Sequence, residues 1–469
     1  LIPRAIYPGK PDSLANEFLE RKFGRNKTIG FAYNPVTESF VNFGYVGSFL
    51  VFFLLGRFLV FLLNYKNQVF NFLIFITLID FCRGEMGTYL YQFLFVSIFL
   101  ILHRKKKMKI VFDNIIYSLQ KSGGGSVYWT ELVKRFIKSD NELIFFDQKE
   151  PNENLFRNTL HLDNVKTESK WSLAIRRYLP FTEKISGKYI FHSSYYRYAS
   201  ASNAINVTSI HDFTTEKFRK GLAREVNLLQ KKWAVKKAKG VVCISENTKK
   251  DLLFFMPNTD ENKIRVIYNG VSNDFFNIPE NFEIAEKDER FSDLENEKYL
   301  LYVGHRTGYK NFKLAVDAAS QFLNKYKLVI VGERFTEKEK KWVESKLGNQ
   351  YLQLKGLNNE NLNYLYNKAY SLLYPSSYEG FGIPIIEAMK TKCPVIAFKN
   401  SSIPEVAGEA ALLYEEENVD SIIHGIQKLQ DKDLRDRLKN KGIIQAEKFS
   451  WDNTFRQYIE FYKELYEKN

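Results

Sequence analysis

Apolar residues follow two different patterns along the chain. Phe43 to Leu63 is almost unbroken apolar sequence, interrupted only by Arg57 and small polar residues, and is long enough to cross a bilayer as one helix. Val69 to Phe81 is a shorter apolar run. Tyr89 to Leu102 is a third, ended by His103, Arg104, Lys105, Lys106 and Lys107. That cationic cluster is expected on the cytoplasmic side of a membrane. Three spans would place residues 1–42 outside, and two would place them in the cytoplasm. The pattern predicts an α-helical transmembrane fragment over residues 1–107.

From Met108 the pattern changes to short apolar runs separated by helical spacing: KIVFDNI, ELIFFDQ, KYIFHSS, VTSIHDF, GVVCISEN and IRVIYNG. Short buried strands alternating with helices predict a parallel α/β sheet. Asn281 to Lys298 is polar, charged and without periodicity, as a linker would be. A second set of strands follows, among them Tyr299 to Val303, Lys327 to Val331 and Ser371 to Tyr374. The expected domains are therefore 108–280, a linker at 281–298, and 299–469.

The stretch with the densest chemistry is EGFGIPIIEA, from Glu379 to Ala388. Gly380 and Gly382 let the backbone approach a ligand closely, and Pro384 suits a first helical turn. The free N–H groups and positive dipole end of the helix so begun suit a diphosphate. Glu379 and Glu387 flank this loop, placed to accept hydrogen bonds from hydroxyls. Together these residues resemble the signature of the retaining glycosyltransferases with two Rossmann-like domains facing across a cleft (the GT-B architecture, family 4, group 1). In that family the first glutamate contacts the donor sugar and the second the ribose. The resemblance implies those roles for Glu379 and Glu387, with Gly380, Phe381, Gly382 and Ile383 also at the donor.

Further segments resemble the family in the same order. The strand ending at Gly304 is followed by Arg306 and Lys310, two cations that suit a leaving diphosphate. Gly356 and Leu357 fall at the turn that resembles the family's base-holding turn, which implies that role for them. Gly124 and Gly125, within Ser122–Ser126, precede a helical pattern, and a glycine-rich loop there can approach a phosphate or sugar; a plain flexible turn is the alternative. His211-Asp212 ends a strand, where open α/β sheets gather ligands, and resembles the family's histidine near the reacting carbon. A merely structural histidine is the alternative, and His192 is a second candidate of the same kind. Ser245 suits a helix cap as well as a ligand contact. Pro404, Glu405 and Gly408 are read as structural. The last helix, from Trp451 through Tyr466, resembles the family's closing helix, which crosses back to the first domain.

The net charge of +14 favours anionic partners. Much of the excess lies between Lys217 and Lys239, where Leu222, Val226, Leu229 and Trp233 form one apolar face. That stripe is expected to pack the helix on the core, and a basic helix with a tryptophan also suits an anionic membrane surface. No nucleic-acid motif accompanies it. The three cysteines, Cys82, Cys243 and Cys393, are too widely spaced for a disulfide framework or a zinc site, which fits a reducing compartment. Asp431-Lys432-Asp433 matches the Asp-x-Asp metal pattern of a different glycosyltransferase fold, but it precedes a surface helix and Asp433 is read as its cap.

The resemblance thus implies a retaining hexosyltransferase needing neither metal nor cofactor. Its donor would be a nucleotide diphosphate sugar, with mannose drawn from the family. The acceptor would be a glycan or lipid-linked glycan in cell-surface polysaccharide synthesis, and the place of action the cytoplasmic side of the bacterial cytoplasmic membrane. The alternatives are a nucleotide-sugar epimerase on the same fold and a non-catalytic sugar-nucleotide-binding subunit. PRAIYPGKPDS and NPVTESFVNFGYVG resemble the C-terminal end of O-antigen-type polysaccharide polymerases. A fusion or read-through at Met108 is expected from this, with Arg4, Lys10, Arg83 and Glu85 either remnants or polymerase site residues.

Overall fold

The computed structural model describes residues 107–469 apart from 149–151, 169–170, 280–287, 295–296 and 307, together with residue 53. The chain divides into two compact units, Leu1–Lys106 and Lys107–Asn469. The expected membrane spans, Cys82, and the polymerase-like Arg4, Lys10, Arg83 and Glu85 lie outside the described residues. Among the described residues, no helix is long and apolar enough to cross a membrane.

The second unit carries two parallel sheets. The first holds β1 (Lys109–Asp113), β2 (Glu142–Asp147), β3 (Val165–Thr167), β4 (Tyr189–Ser193), β5 (Ala204–Ile210), β6 (Gly240–Cys243) and β7 (Ile264–Val266), in the order β3-β2-β1-β4-β5-β6-β7. The second holds β8 (Tyr299–Val303), β9 (Lys327–Val331), β10 (Tyr351–Leu354), β11 (Ser371–Tyr374), β12 (Val395–Phe398) and β13 (Leu412–Tyr414), in the order β10-β9-β8-β11-β12-β13. The inner strands are buried almost throughout, as a sheet covered by helices on both faces requires. This is the expected pair of Rossmann-like domains. Strand order reverses between β1 and β4, and again between β8 and β11, and it is at such reversals, beyond the strands' C-terminal ends, that open α/β sheets gather ligands.

Helices of eight residues or more are α1 (Gly124–Ile137), α2 (Leu222–Lys237), α3 (Glu246–Phe255), α4 (Phe312–Ala319), α5 (Glu337–Leu347), α6 (Asn359–Lys368), α7 (Ile383–Lys390), α8 (Val419–Lys428), α9 (Lys432–Ala446) and α10 (Trp451–Lys468). Helix α2 departs from its sequence reading. The stripe expected to pack on the core is outside: Leu222 is 79%, Leu229 55% and Trp233 45% exposed. The buried face is Leu228, Lys231, Ala234 and Val235. Periodicity missed this face because a lysine sits in it. The Lys231 ammonium donates to Glu216 at 2.8 Å and to the Asp212 carbonyl at 2.7 Å, so its charge is satisfied inside.

The crossing between domains also differs from the charged linker expected at 281–298. Phe276 and Ile278 already donate their amides to Asn363 and Asn367 of α6, at 3.0 and 2.9 Å. Within the linker stretch, the turn Glu289–Leu294 buries Phe291 and Leu294 against the second domain. Two apolar anchors in a charged segment suffice to dock it. At the other end, α10 crosses back to the first sheet, as expected. The Tyr458 hydroxyl pairs with Ser209 at 2.8 Å, and His192 joins the Tyr462 hydroxyl at 2.5 Å and the Ser209 hydroxyl at 2.9 Å. His192 is fully buried there, and burial pushes its pKa down to about 3. It is a neutral part of the seam and lies away from any open crevice.

The seam is tight at Gly270, where an added Cβ would lie 2.1 Å from the Trp451 amide nitrogen. Gly270→Ala is expected to cost about 3 kcal/mol, the upper end of overpacking penalties, because backbone must move on both sides. Chemical denaturation of the two proteins checks this; an unchanged midpoint would show that α10 is not held as drawn.

Candidate functional site

The site begins where β11 ends. The chain passes through Pro375 and Ser377 to Glu379, whose Oε1 meets the Lys310 ammonium at 2.5 Å. Lys310 closes the loop after β8 and lies against the rings of Tyr309 and Tyr374, 5.4 and 5.7 Å from their centroids. Asn311, in a left-handed conformation at φ 50°, ties the two loops together: its amide donates to the Pro375 carbonyl at 2.9 Å and to Ser377 at 2.7 Å. Two serines absent from the sequence reading hold the Glu379 backbone. Its amide donates to Ser401 at 2.8 Å, and Ser402 donates to the carbonyls of Glu379 and Phe381 at 3.0 and 2.9 Å. The adjacent serines before Ile403-Pro404 were the only local hint.

Gly382 adopts φ 105°, which an L side chain resists, and turns the chain into α7 with Pro384 in the first turn. The Phe381 ring is buried beside Tyr268 and Phe449, so Phe381 offers the crevice its backbone rather than its side chain. One turn into α7, Glu387 accepts a hydrogen bond from the Tyr366 hydroxyl at 2.9 Å, and desolvation raises its pKa to about 7.

The first domain closes against this loop. An added Cβ at Gly380 would lie 2.2 Å from the His211 carbonyl oxygen and 2.9 Å from Asp212 Cβ. Ser245 takes the expected capping role on α3 through the Thr248 amide at 3.0 Å, and its hydroxyl also donates across the domain boundary to the Gly380 carbonyl at 2.7 Å. The His211 ring packs edge-on against Tyr128 with centroids 4.6 Å apart. Burial lowers its pKa to about 4 against the opposing pull of Asp212, so its imidazole is neutral at pH 7. Tyr128 stands one turn beyond Gly124 and Gly125 on α1, which links the glycine-rich loop to the same crevice. Space beside Gly124 is open, whereas Gly125 is bounded by the Gln120 amide at 3.3 Å.

More distant groups brace this meeting. The Tyr378 hydroxyl donates to Asp251 at 2.7 Å and accepts from the Phe213 amide at 3.0 Å, while Phe218 stacks on Tyr309 at 4.9 Å. Glu405 accepts from the amides of Glu246 and Asn247 at 2.9 and 3.0 Å, capping α3 of the first domain from the second. Its structural reading is thus given a specific form.

The fold therefore brings together His211, Gly380, Glu379 and Lys310, with Glu387 further along α7. Arg306 points elsewhere. Its guanidinium lies over Phe335 and Phe312, pairs with Glu339 at 3.2 Å, and donates to the carbonyls of Glu333 and Arg334 at 2.7 and 3.0 Å. Glu339 is held in place by the capping box at the start of α5, so Arg306 is committed to that helix end in this structure. Gly304 (φ 134°) ends β8 and Gly356 (φ 72°) follows β10, with Leu357 packed on the core. Gly304 thus lies beside the β8–β11 reversal, whereas Gly356 follows the edge strand β10, two strands from β8. The cap of α9 is Asp431, which accepts from Asp433 and Leu434 at 2.9 and 3.2 Å, and not Asp433 as expected. Among the described residues, no group of three His, Cys, Asp or Glu side chains is placed to hold a metal ion.

Two family models match: Glycosyltransferase Family 4 over residues 122–275 and Glycosyl transferases group 1 over residues 284–445. The chain is 37% identical over 175 residues to the O-antigen chain mannosyltransferase B of Escherichia coli, covering 36% of this chain and 46% of the relative. It is 34% identical over 206 residues to the O-antigen chain mannosyltransferase RfbU of Salmonella typhimurium, covering 43% and 54%. The matches thus span about half the length of these curated relatives. Among solved structures, a sucrose-phosphate synthase from Thermosynechococcus elongatus shares the fold, with TM-score 0.59, 18% identity, and coverage of 77% of this chain and 100% of that one.

The raised pKa of Glu387 makes a signed prediction. The native carboxyl holds its proton until pH 7, whereas an unfolded glutamate loses it near 4.5, so rising pH between those values favours the unfolded chain. The stability of the wild-type protein relative to Glu387→Gln should fall between pH 4.5 and 7 and level off above. Paired thermal melts across that range test it; parallel curves would mean that the carboxyl titrates in the native protein as it does in the unfolded chain.

Proposed function

We propose, for a chain that belongs to these glycosyltransferases by Family 4 over residues 122–275 and group 1 over residues 284–445, that it moves a hexose, mannose by its relatives, from a nucleotide diphosphate sugar to a glycan or lipid-linked glycan of a cell-surface polysaccharide. The observation that carries this reading is the convergence of His211, at the end of β5, with Gly380, Glu379 and Lys310, which follow β11 and β8 where the order of the second sheet reverses. The mannosyl preference rests on the printed activity of two relatives at 37% and 34% identity.

Each residue then has a task that its chemistry suits. Lys310 and the N-terminus of α7 take the diphosphate, a charge that grows as the sugar leaves and that preorganised cations stabilise best. Glu379, released from Lys310 by the incoming phosphates, accepts hydrogen bonds from sugar hydroxyls. Glu387 accepts from the ribose, and neutral His211 hydrogen-bonds the sugar near the reacting carbon without adding charge to an oxocarbenium-like centre. Gly124 and Gly125 face the cleft from the opposite wall, and Gly356 with Leu357 presents backbone groups to the base. Arg306 joins the diphosphate only if Glu339 releases it. Retention of configuration, independence of metal and work at the cytoplasmic membrane belong to the same proposal and rest on the family resemblance.

Lys310→Ala and Glu379→Ala should each lower kcat about 100-fold or more while the melting curve stays cooperative. The check uses the full chain with GDP-, UDP- and ADP-sugars and a glycan acceptor, following nucleotide release and product together. Near-wild-type turnover in both variants would sink the site assignment. Isomerised donor without transfer would replace the proposal with epimerisation.

A further inference from the structure

Helix α2 has two opposite faces. At about 100° per residue, Leu222, Val226, Leu229 and Trp233 share one side, and the buried Leu228, Lys231, Ala234 and Val235 the other. Leu222, Leu229 and Trp233 of the outer stripe are exposed, and Val226 is half-buried. Cations border it on the same helix, Lys232 and Lys236 on one flank and Lys237 on the other, all exposed. Arg219 and Lys220 extend the charge before the helix, and no ion pair among the described residues engages any of these five. Beside the stripe, a groove of about 340 Å³ opens between Leu229 and Trp233 on α2 and Tyr178 and Leu179 opposite, and Tyr178 is itself 50% exposed.

We infer that α2 is a membrane-docking face, lying in the plane of an anionic lipid bilayer with its outer stripe among the acyl chains and its flanking cations at the headgroups. An apolar stripe directed to solvent is costly in water and favourable at a bilayer surface, and lysines on its flanks select anionic lipid. Trp233 suits the interface, since indole is apolar with one polar N–H. The groove continues the apolar surface inward along Tyr178, Leu179 and Trp233, with Arg197 and Gln230 also in its lining. The helix is anchored to the crevice by Lys231, whose ammonium holds the Asp212 carbonyl next to His211. A docked α2 would therefore hold the crevice at a fixed height above the lipid. The inference does not depend on which group the crevice transfers.

Residues 1–107 carry apolar runs of their own, so binding of the whole chain to lipid is not the readout; the local contact is. The full chain is mixed with vesicles containing brominated lipid, either phosphatidylcholine alone or with phosphatidylglycerol, and tryptophan quenching is followed. Trp129 and Trp451 are buried, whereas Trp171 is exposed and Trp342 half-buried, so Trp171→Phe/Trp342→Phe serves as the background in which Trp233 is read. Quenching should require phosphatidylglycerol, be lost when Trp233→Phe is added to that background, and shift to a higher anionic fraction in Lys232→Gln/Lys236→Gln. Equal quenching with and without Trp233, or equal quenching in neutral and anionic vesicles, would overturn the proposal. Unchanged melting of the variants keeps misfolding from mimicking either result.

Discussion

The contact on which the molecule depends is that of Gly380 with the backbone of His211. There is no room for a Cβ: the position it would take is 2.2 Å from the His211 carbonyl oxygen. One glycine therefore sets how closely the two sheets' C-terminal ends approach, and with them Lys310, Glu379 and His211. The surrounding bonds, Ser245 to Gly380, Tyr378 to Asp251 and Glu405 to the start of α3, all cross the same boundary. Helix α10 secures the far side by inserting Tyr458 and Tyr462 under the first sheet. The chain thus clamps its domains at two places, with the crevice between them.

Charge in the crevice is arranged by burial as much as by partner. His211 is kept neutral by desolvation, and Glu387 is carried up to about 7 by the same cause. Lys310 keeps a carboxylate partner, and aromatic faces on two sides limit the water around it. Such a site holds opposite charges that a phosphorylated sugar can separate and satisfy individually. Arg306 is the counterexample: a cation at the expected place in the sequence is held elsewhere by Glu339, two carbonyls and two rings.

Helix α2 joins the crevice to the surface. Its inner face spends a buried Lys231–Glu216 pair on the structure, with side chains 2% and 0% exposed, while its outer face leaves large apolar groups in solvent. Burying a charge pair on one side while exposing a tryptophan on the other makes physical sense if the outer side meets something other than water. That orientation would let an acceptor anchored in lipid reach the crevice without leaving the bilayer surface.

The sequence by itself determined what depends on neighbours along the chain. The buried inner strands of both sheets, Pro384 at the start of α7 and the Ser245 cap were legible, because apolar period, helix-start preference and capping are local properties. The juxtaposition of Glu379 with Lys310 was legible only through resemblance. Tertiary structure alone decided the partners of Arg306, the inward face of α2, the capping of α3 by Glu405, and the roles of Tyr128, Ser401 and Ser402. Each of these rests on a contact between segments distant in sequence, such as the hydroxyl pair of Tyr128 and Tyr458, 330 residues apart. A charge turns inward only if another segment brings its partner, and no periodicity records where that partner will be.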